Sequence, residues 1–141
     1  MADSQRPLSP QGRADVVVVA QRALARGVAP TAIYHSGILR ARQTAELVAA
    51  LLAPADGVCE LAGLYPEDDP VIVKAELELT SRSILLVSHL PYLGRLAGLL
   101  VAGDGERSVV QFAPATLACM TRQAARWQLG WWLSPQRVDP S

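Results

Sequence analysis

Only two histidines occur in the 141 residues, His35 and His89, and each closes a short apolar run. The first stands in "TAIYHSGILRARQTAELVAALL" and the second in "SILLVSHLPYLGRLAGLL". In both, aliphatic and β-branched residues lead into a His–Ser or Ser–His pair, and a helical pattern of leucines follows. A strand that ends this way in a parallel sheet delivers its last polar side chains to the edge where α/β proteins bind ligands. An imidazole there can carry a proton near neutral pH or face an anion. The plainer alternative is a ring that ends the strand and hydrogen-bonds to nearby backbone.

Arg40 adds a second kind of chemistry. It falls in the first turn of the helix predicted over residues 38–52, beside backbone N–H groups without intrahelical partners and the positive end of the helix dipole. The dipole disfavours a cation at that position. An anion held between the arginine and the helix terminus reverses the balance. Arg42, two residues on, points elsewhere and reads as a solvated surface charge.

The elements that must position these residues follow from periodicity and punctuation. Ser9 and Pro10 have the form of an N-cap and first helical residue, which predicts a helix to about Arg26 with Gly27 as its stop. Within it Ala14, Val17, Val18 and Leu24 lie near helical spacing. "TAIYHS" reads as a strand, and the helix after it carries Leu39, Thr44, Leu47, Val48 and Leu51 as its apolar stripe, stopped by Pro54. A short strand is expected in "GVCELAGLY". A helix follows in "DPVIVKAELEL", with Asp69 as cap, then a buried strand over Ser83 to Ser88 and a helix over Pro91 to Val101. The remainder reads as two or three strands with a turn near Gln123 to Arg126. Alternating strands and helices predict one three-layer α/β domain with a mostly parallel sheet and antiparallel strands at the C-terminal end.

Thirteen basic and thirteen acidic residues cancel, so no global charge favours nucleic acid or a membrane surface. A local anion site needs only two or three arginines. Cys59 and Cys119, widely separated from each other and from the histidines, form no recognisable metal motif and read as small core residues in a reducing compartment. The opening "MADSQRPLSPQG" is not patterned as a signal peptide, and "ADVVVVA" is too short to span a bilayer, so the expectation is a cytoplasmic protein. No GxxxxGK or GxGxxG loop is present. No metal or other cofactor is expected.

Taken together, "SGILRARQTAELVAALL" resembles the S-P-x-x-R-A-x-Q-T-A stretch of the histidine phosphatase superfamily, which has the phosphoglycerate mutase-like fold. "LLVSHLPYLGRLAGLL" resembles that superfamily's second histidine segment. The form S-H-L-P and "RPLSPQG" near the start are similar to its SixA-like branch of phosphohistidine phosphatases. Gly37 stands where proline is usual. The resemblance implies a metal-free phosphoryl-transfer pocket, with Arg40 clamping phosphate, His89 as the second pocket histidine, and Arg6 and Ser36 as substrate-binding residues. It also implies signal transduction, with a histidine-phosphorylated phosphotransfer protein as partner. Glu67, Asp68 and Asp69 lie on a loop that could approach such a pocket, and otherwise read as turn and cap residues.

The resemblance also implies a nucleophilic histidine in an R-H-G motif after a first strand. No R-H-G occurs in the sequence. His35 is a poor substitute, since alternation along a strand turns it away from the side on which Ser36 opens. The expectation is therefore a domain over residues 1–141 that lacks its first strand and nucleophile. Three origins stay open: a start placed downstream, a natural pseudoenzyme, or a separate segment that completes the sheet. Within the superfamily the rival readings are a small-molecule phosphomonoesterase and a non-catalytic phosphate- or phosphoprotein-binding module.

Overall fold

The computed structural model describes residues 2–136. Ser9 begins the first helix as its type predicts, its hydroxyl accepting a hydrogen bond from the Gly12 N–H at 3.0 Å. The helix, α1, spans Pro10–Ala25, and Gly27 beyond it takes φ +83°. The run of four valines is thus helical, but its buried face differs from the expected one. Val16, Val19, Ala20 and Ala23 are buried, whereas Ala14 is exposed and Leu24 is 49% exposed. Consecutive valines surround the helix with apolar residues, so periodicity alone could not choose a stripe. Packing chose it: Ala20 and Ala23 are small enough to let the helix lie close on its neighbours.

Three parallel strands form the central sheet, in order β2-β1-β3: β1 is Ala32–His35, β2 Val58–Glu60 and β3 Ile84–Val87. Helix α2 (Leu39–Leu52) connects β1 to β2, and α3 (Val71–Glu78) precedes β3. Helix α4 (Tyr92–Ala102) follows β3 and ends at Gly103 with φ +71°. Helices α1 and α2 cover one face of the sheet over Ile33 and Leu85. Helices α3 and α4 cover the other, where Leu64, Val73, Tyr92 and Leu96 are buried. Each leucine fully buried in these cores contributes about 1.5–3 kcal/mol.

The antiparallel strands β4 (Leu117–Gln123) and β5 (Arg126–Leu133) pair only with each other and make a separate two-stranded sheet. The expected C-terminal addition to the parallel sheet is therefore a hairpin set apart from it. Helix α1 holds its far end: the Arg26 guanidinium lies 4.6 Å from the Trp131 ring centre, and Arg22 donates to the Ser134 carbonyl. The reading of both cysteines as core residues is also corrected. Cys119 is half-buried and burial pushes its thiol up, but Cys59 is exposed because β2 is a short edge strand. Among the described residues no helix is long and apolar enough to cross a membrane.

Candidate active site

Parallel pairing of β1 and β3 brings the two junctions together. His35 is in register with Val87, so the residues after each strand leave the sheet at the same edge. There the Ser36 hydroxyl lies 2.7 Å from His89 Nε2, across 53 residues of sequence. The same hydroxyl oxygen accepts the Ile38 N–H at 3.2 Å. Either tautomer of His89 satisfies the contact, as donor or as acceptor, so the ring is held in one place. Ser36, expected to bind substrate, is itself only 3% exposed and does not line the cavity that His89 lines.

Arg40 is the second residue of α2, whose N-cap, Ile38, supplies no side-chain hydrogen bond and whose first turn has no acidic residue. Arg40 and His89 line one cavity of about 490 Å³ together with Ser88 and Thr44. The Thr44 hydroxyl donates to the Arg40 carbonyl at 2.8 Å. A guanidinium, an imidazole and an uncapped helix terminus thus converge on one opening, an arrangement suited to a tetrahedral anion.

His35 is placed differently. It is 5% exposed, does not line the cavity, and its Nδ1 accepts the Gly37 N–H at 3.0 Å. That bond requires Nδ1 to be unprotonated. Burial, helped by the nearby Arg42 charge, lowers the pKa of the ring below 6.5, against Glu60 and Glu46, which raise it. Gly37 has φ +89°, and a Cβ there would lie 2.6 Å from the Glu60 carboxyl carbon. Glycine rather than proline is what this turn accepts, because proline fixes φ near −65°.

The remaining expected residues are dispersed. Arg6 is exposed and does not line the cavity, although its segment is tied to α2 by the Leu8 N–H donating to Gln43 Oε1 at 2.8 Å. Asp68 accepts the Tyr65 N–H in a turn; Asp69, expected as the cap of α3, stands one residue before its N-cap Pro70 and accepts the Val71 N–H; neither lines the cavity, nor does Glu67. Sequence reasoning missed Asp15 and the polar role of Thr44, both of which line the cavity. Thr44 was detectable: it lies four residues after Arg40, hence on the same helix face. Among the described residues no three His, Cys, Asp or Glu side chains cluster to hold a metal ion.

The model of the histidine phosphatase superfamily (branch 1) matches residues 2–61, which include Arg6, Ser36 and Arg40. The solved structure of the protein histidine phosphatase SixA complexed with tungstate is similar at a TM-score of 0.86 and 30% identity, over 96% of this chain and 88% of that one. The chain belongs to the histidine phosphatase superfamily. Within this family it is SixA-like, with the mixed α/β fold described above. A SixA structure from Agrobacterium tumefaciens shares that fold at a TM-score of 0.77 and 20% identity, over 94% of this chain and 86% of that one. An uncharacterized protein of Picosynechococcus is 37% identical over 107 residues, 72% of this chain; the match spans 64% of that relative's length.

Proposed function

We propose that the chain is a phosphohistidine phosphatase of the SixA type, acting on a histidine-phosphorylated phosphotransfer protein in the cytoplasm. The observation that carries the reading is the convergence of Arg40 and His89 on one cavity at the carboxyl ends of β1 and β3. In this reading the Arg40 guanidinium takes phosphoryl oxygens, two at once where its fork allows. His89, steadied by Ser36, and the first-turn N–H groups of α2 offset charge on the other oxygens as the P–N bond breaks and the phosphoryl group passes to water, directly or by way of a nucleophile that the described residues do not include. The leaving imidazole departs neutral once its ring nitrogen is protonated, so no strong general acid is required of the protein. The tungstate in the solved SixA structure is a tetrahedral oxyanion of the shape this pocket would take.

A second reading has its own observation. The sequence contains no R-H-G, and the only other histidine, His35, is buried away from the cavity and engaged by Gly37. On this reading Arg40 and His89 hold phosphate without turnover, and the chain acts as a phosphate- or phosphoprotein-binding module.

Tungstate titration by calorimetry tests the site common to both readings. Arg40→Ala is expected to weaken binding by about 1.5–3 kcal/mol, the worth of a charged hydrogen bond. Unchanged affinity would remove Arg40 from the site. Phosphate release from a phosphohistidine peptide then separates the readings: turnover supports the phosphatase, and saturable binding without release supports the module. Faster release from sugar or nucleotide phosphates would point instead to a phosphomonoesterase.

A further inference from the structure

Three residues, Ser36 to Ile38, link β1 to α2, and side chains answer two of their N–H groups. The Gly37 N–H donates to His35 Nδ1 at 3.0 Å, and the Ile38 N–H donates to the Ser36 hydroxyl oxygen at 3.2 Å. That hydroxyl is the one that lies 2.7 Å from His89 Nε2, and Ile38 is the N-cap of the helix that carries Arg40. Both residues of the candidate site are therefore tied to one turn.

The turn's own residues do little to hold it. Gly37, at φ +89°, is the residue type with the widest choice of conformations. The Ser36 hydroxyl hydrogen rotates to suit its neighbours, so it follows a geometry set elsewhere. His35 is the fixed member. Its strand is paired with β2 and β3, its carbonyl accepts the Leu61 N–H at 2.9 Å, and its side chain is buried. A buried ring on a strand paired along both edges gives the Gly37 N–H an acceptor that cannot move away. The Glu60 side chain, from the residue in register with His35, lies against the same glycine. Without the acceptor, the Gly37 donor is left unmade in a part-buried turn, and another conformation of Gly37 becomes favourable.

We propose that His35 is a positioning residue for the candidate site. By holding the Gly37 N–H, its Nδ1 sets where the Ser36 hydroxyl meets His89 and how the first turn of α2 faces the cavity. His35 acts through that turn and not on the anion, since it does not line the cavity. The chemistry required of it is narrow: an acceptor bonded directly to Cγ, where Nδ1 stands. Asparagine carries its Oδ1 at that place. Glutamine puts a methylene there and its amide one carbon farther out. This role rests on the reading of Arg40 and His89 as an anion site and adds to it a residue outside the cavity.

The test is calorimetric titration of the 141-residue chain with tungstate in mildly alkaline buffer, with the histidine ring signals followed by nuclear magnetic resonance. His35→Gln is expected to weaken tungstate binding about tenfold and to move the His89 ring signals, with far-ultraviolet circular dichroism unchanged. His35→Asn is expected to return both affinity and ring signals to those of the natural chain. In either variant His89 is the only histidine left, so its signals are unambiguous. Equal affinity in the two variants, whether kept or lost, overturns the proposal. Arg40→Ala separates this failure from that of the anion site. If Arg40→Ala also leaves affinity unchanged, the site itself is misassigned; if it weakens binding while His35→Gln does not, only the role of His35 falls. In the natural chain a scalar coupling is expected across the bond from the Gly37 N–H to His35 Nδ1. Its absence overturns the proposal whether or not either variant folds.

Discussion

His35 shows how a histidine at a strand end can be structural while its counterpart 54 residues later faces a cavity. Its Nδ1 accepts a backbone N–H, and its ring is almost fully buried. Both conditions favour the neutral form, so the folded state holds the pKa below 6.5. Between that lowered value and 6.5 the unfolded chain binds more protons than the folded one. The stability contributed by neutral His35 is therefore complete above about pH 6.5 and is lost as the pH falls. The variant His35→Asn keeps an acceptor near Nδ1 and removes the titration. Its melting temperature is expected to fall less than that of the natural chain between about pH 6.5 and 5. An identical pH slope in the two proteins would dismiss His35 as the source. Strand alternation was expected to turn His35 away from a pocket on which Ser36 opens; His35 does lie outside the cavity, but so does Ser36, so alternation did not decide the matter. The bond from Gly37 was not legible, because it depends on a turn at φ +89° that only the folded backbone reveals.

Helix α4 packs through one position more tightly than its sequence advertises. A Cβ on Gly98 would lie 2.3 Å from the Arg107 carbonyl oxygen and 2.7 Å from that of Asp104, both backbone atoms. Within a helix alanine is favoured over glycine by about 1 kcal/mol. The carbonyls cannot move aside as a flexible side chain could, so the turn after α4 must shift. Gly98→Ala is expected to lower unfolding free energy by about 1–3 kcal/mol in a urea melt, overpacking exceeding the helix gain. A stabilised variant would show that the turn yields freely. At this scale the elements themselves were readable: the helices, the strands and the S-P and D-P starts all appear near their expected places. The buried face of α1 was not, because four valines in succession erase the contrast on which periodicity depends.

Across the whole molecule, backbone hydrogen bonding is uneven. Strand β1 is paired on both edges, β3 on one, and the β4–β5 hairpin shares no ladder with the parallel sheet and is held at its far end by Arg22 and Arg26 of the α1 segment. Native-state hydrogen exchange is expected to rank the amides accordingly, with β1 opening only on global unfolding and the hairpin opening at lower free energy. Equal protection of β1 and the hairpin would mean that the two sheets unfold as one unit. By itself the sequence determined the order of elements, the α/β class and the two strand-to-helix junctions that carry Arg40 and His89. These are local matters of periodicity, capping and turn residues. Only the tertiary structure decided that the Ser36 hydroxyl sits 2.7 Å from His89 Nε2, that Arg6 stands outside the cavity, and that β4 and β5 form a sheet of their own. Those outcomes depend on which strand edges pair and how helices seat on the sheet, and such long-range choices leave no periodic trace in the chain.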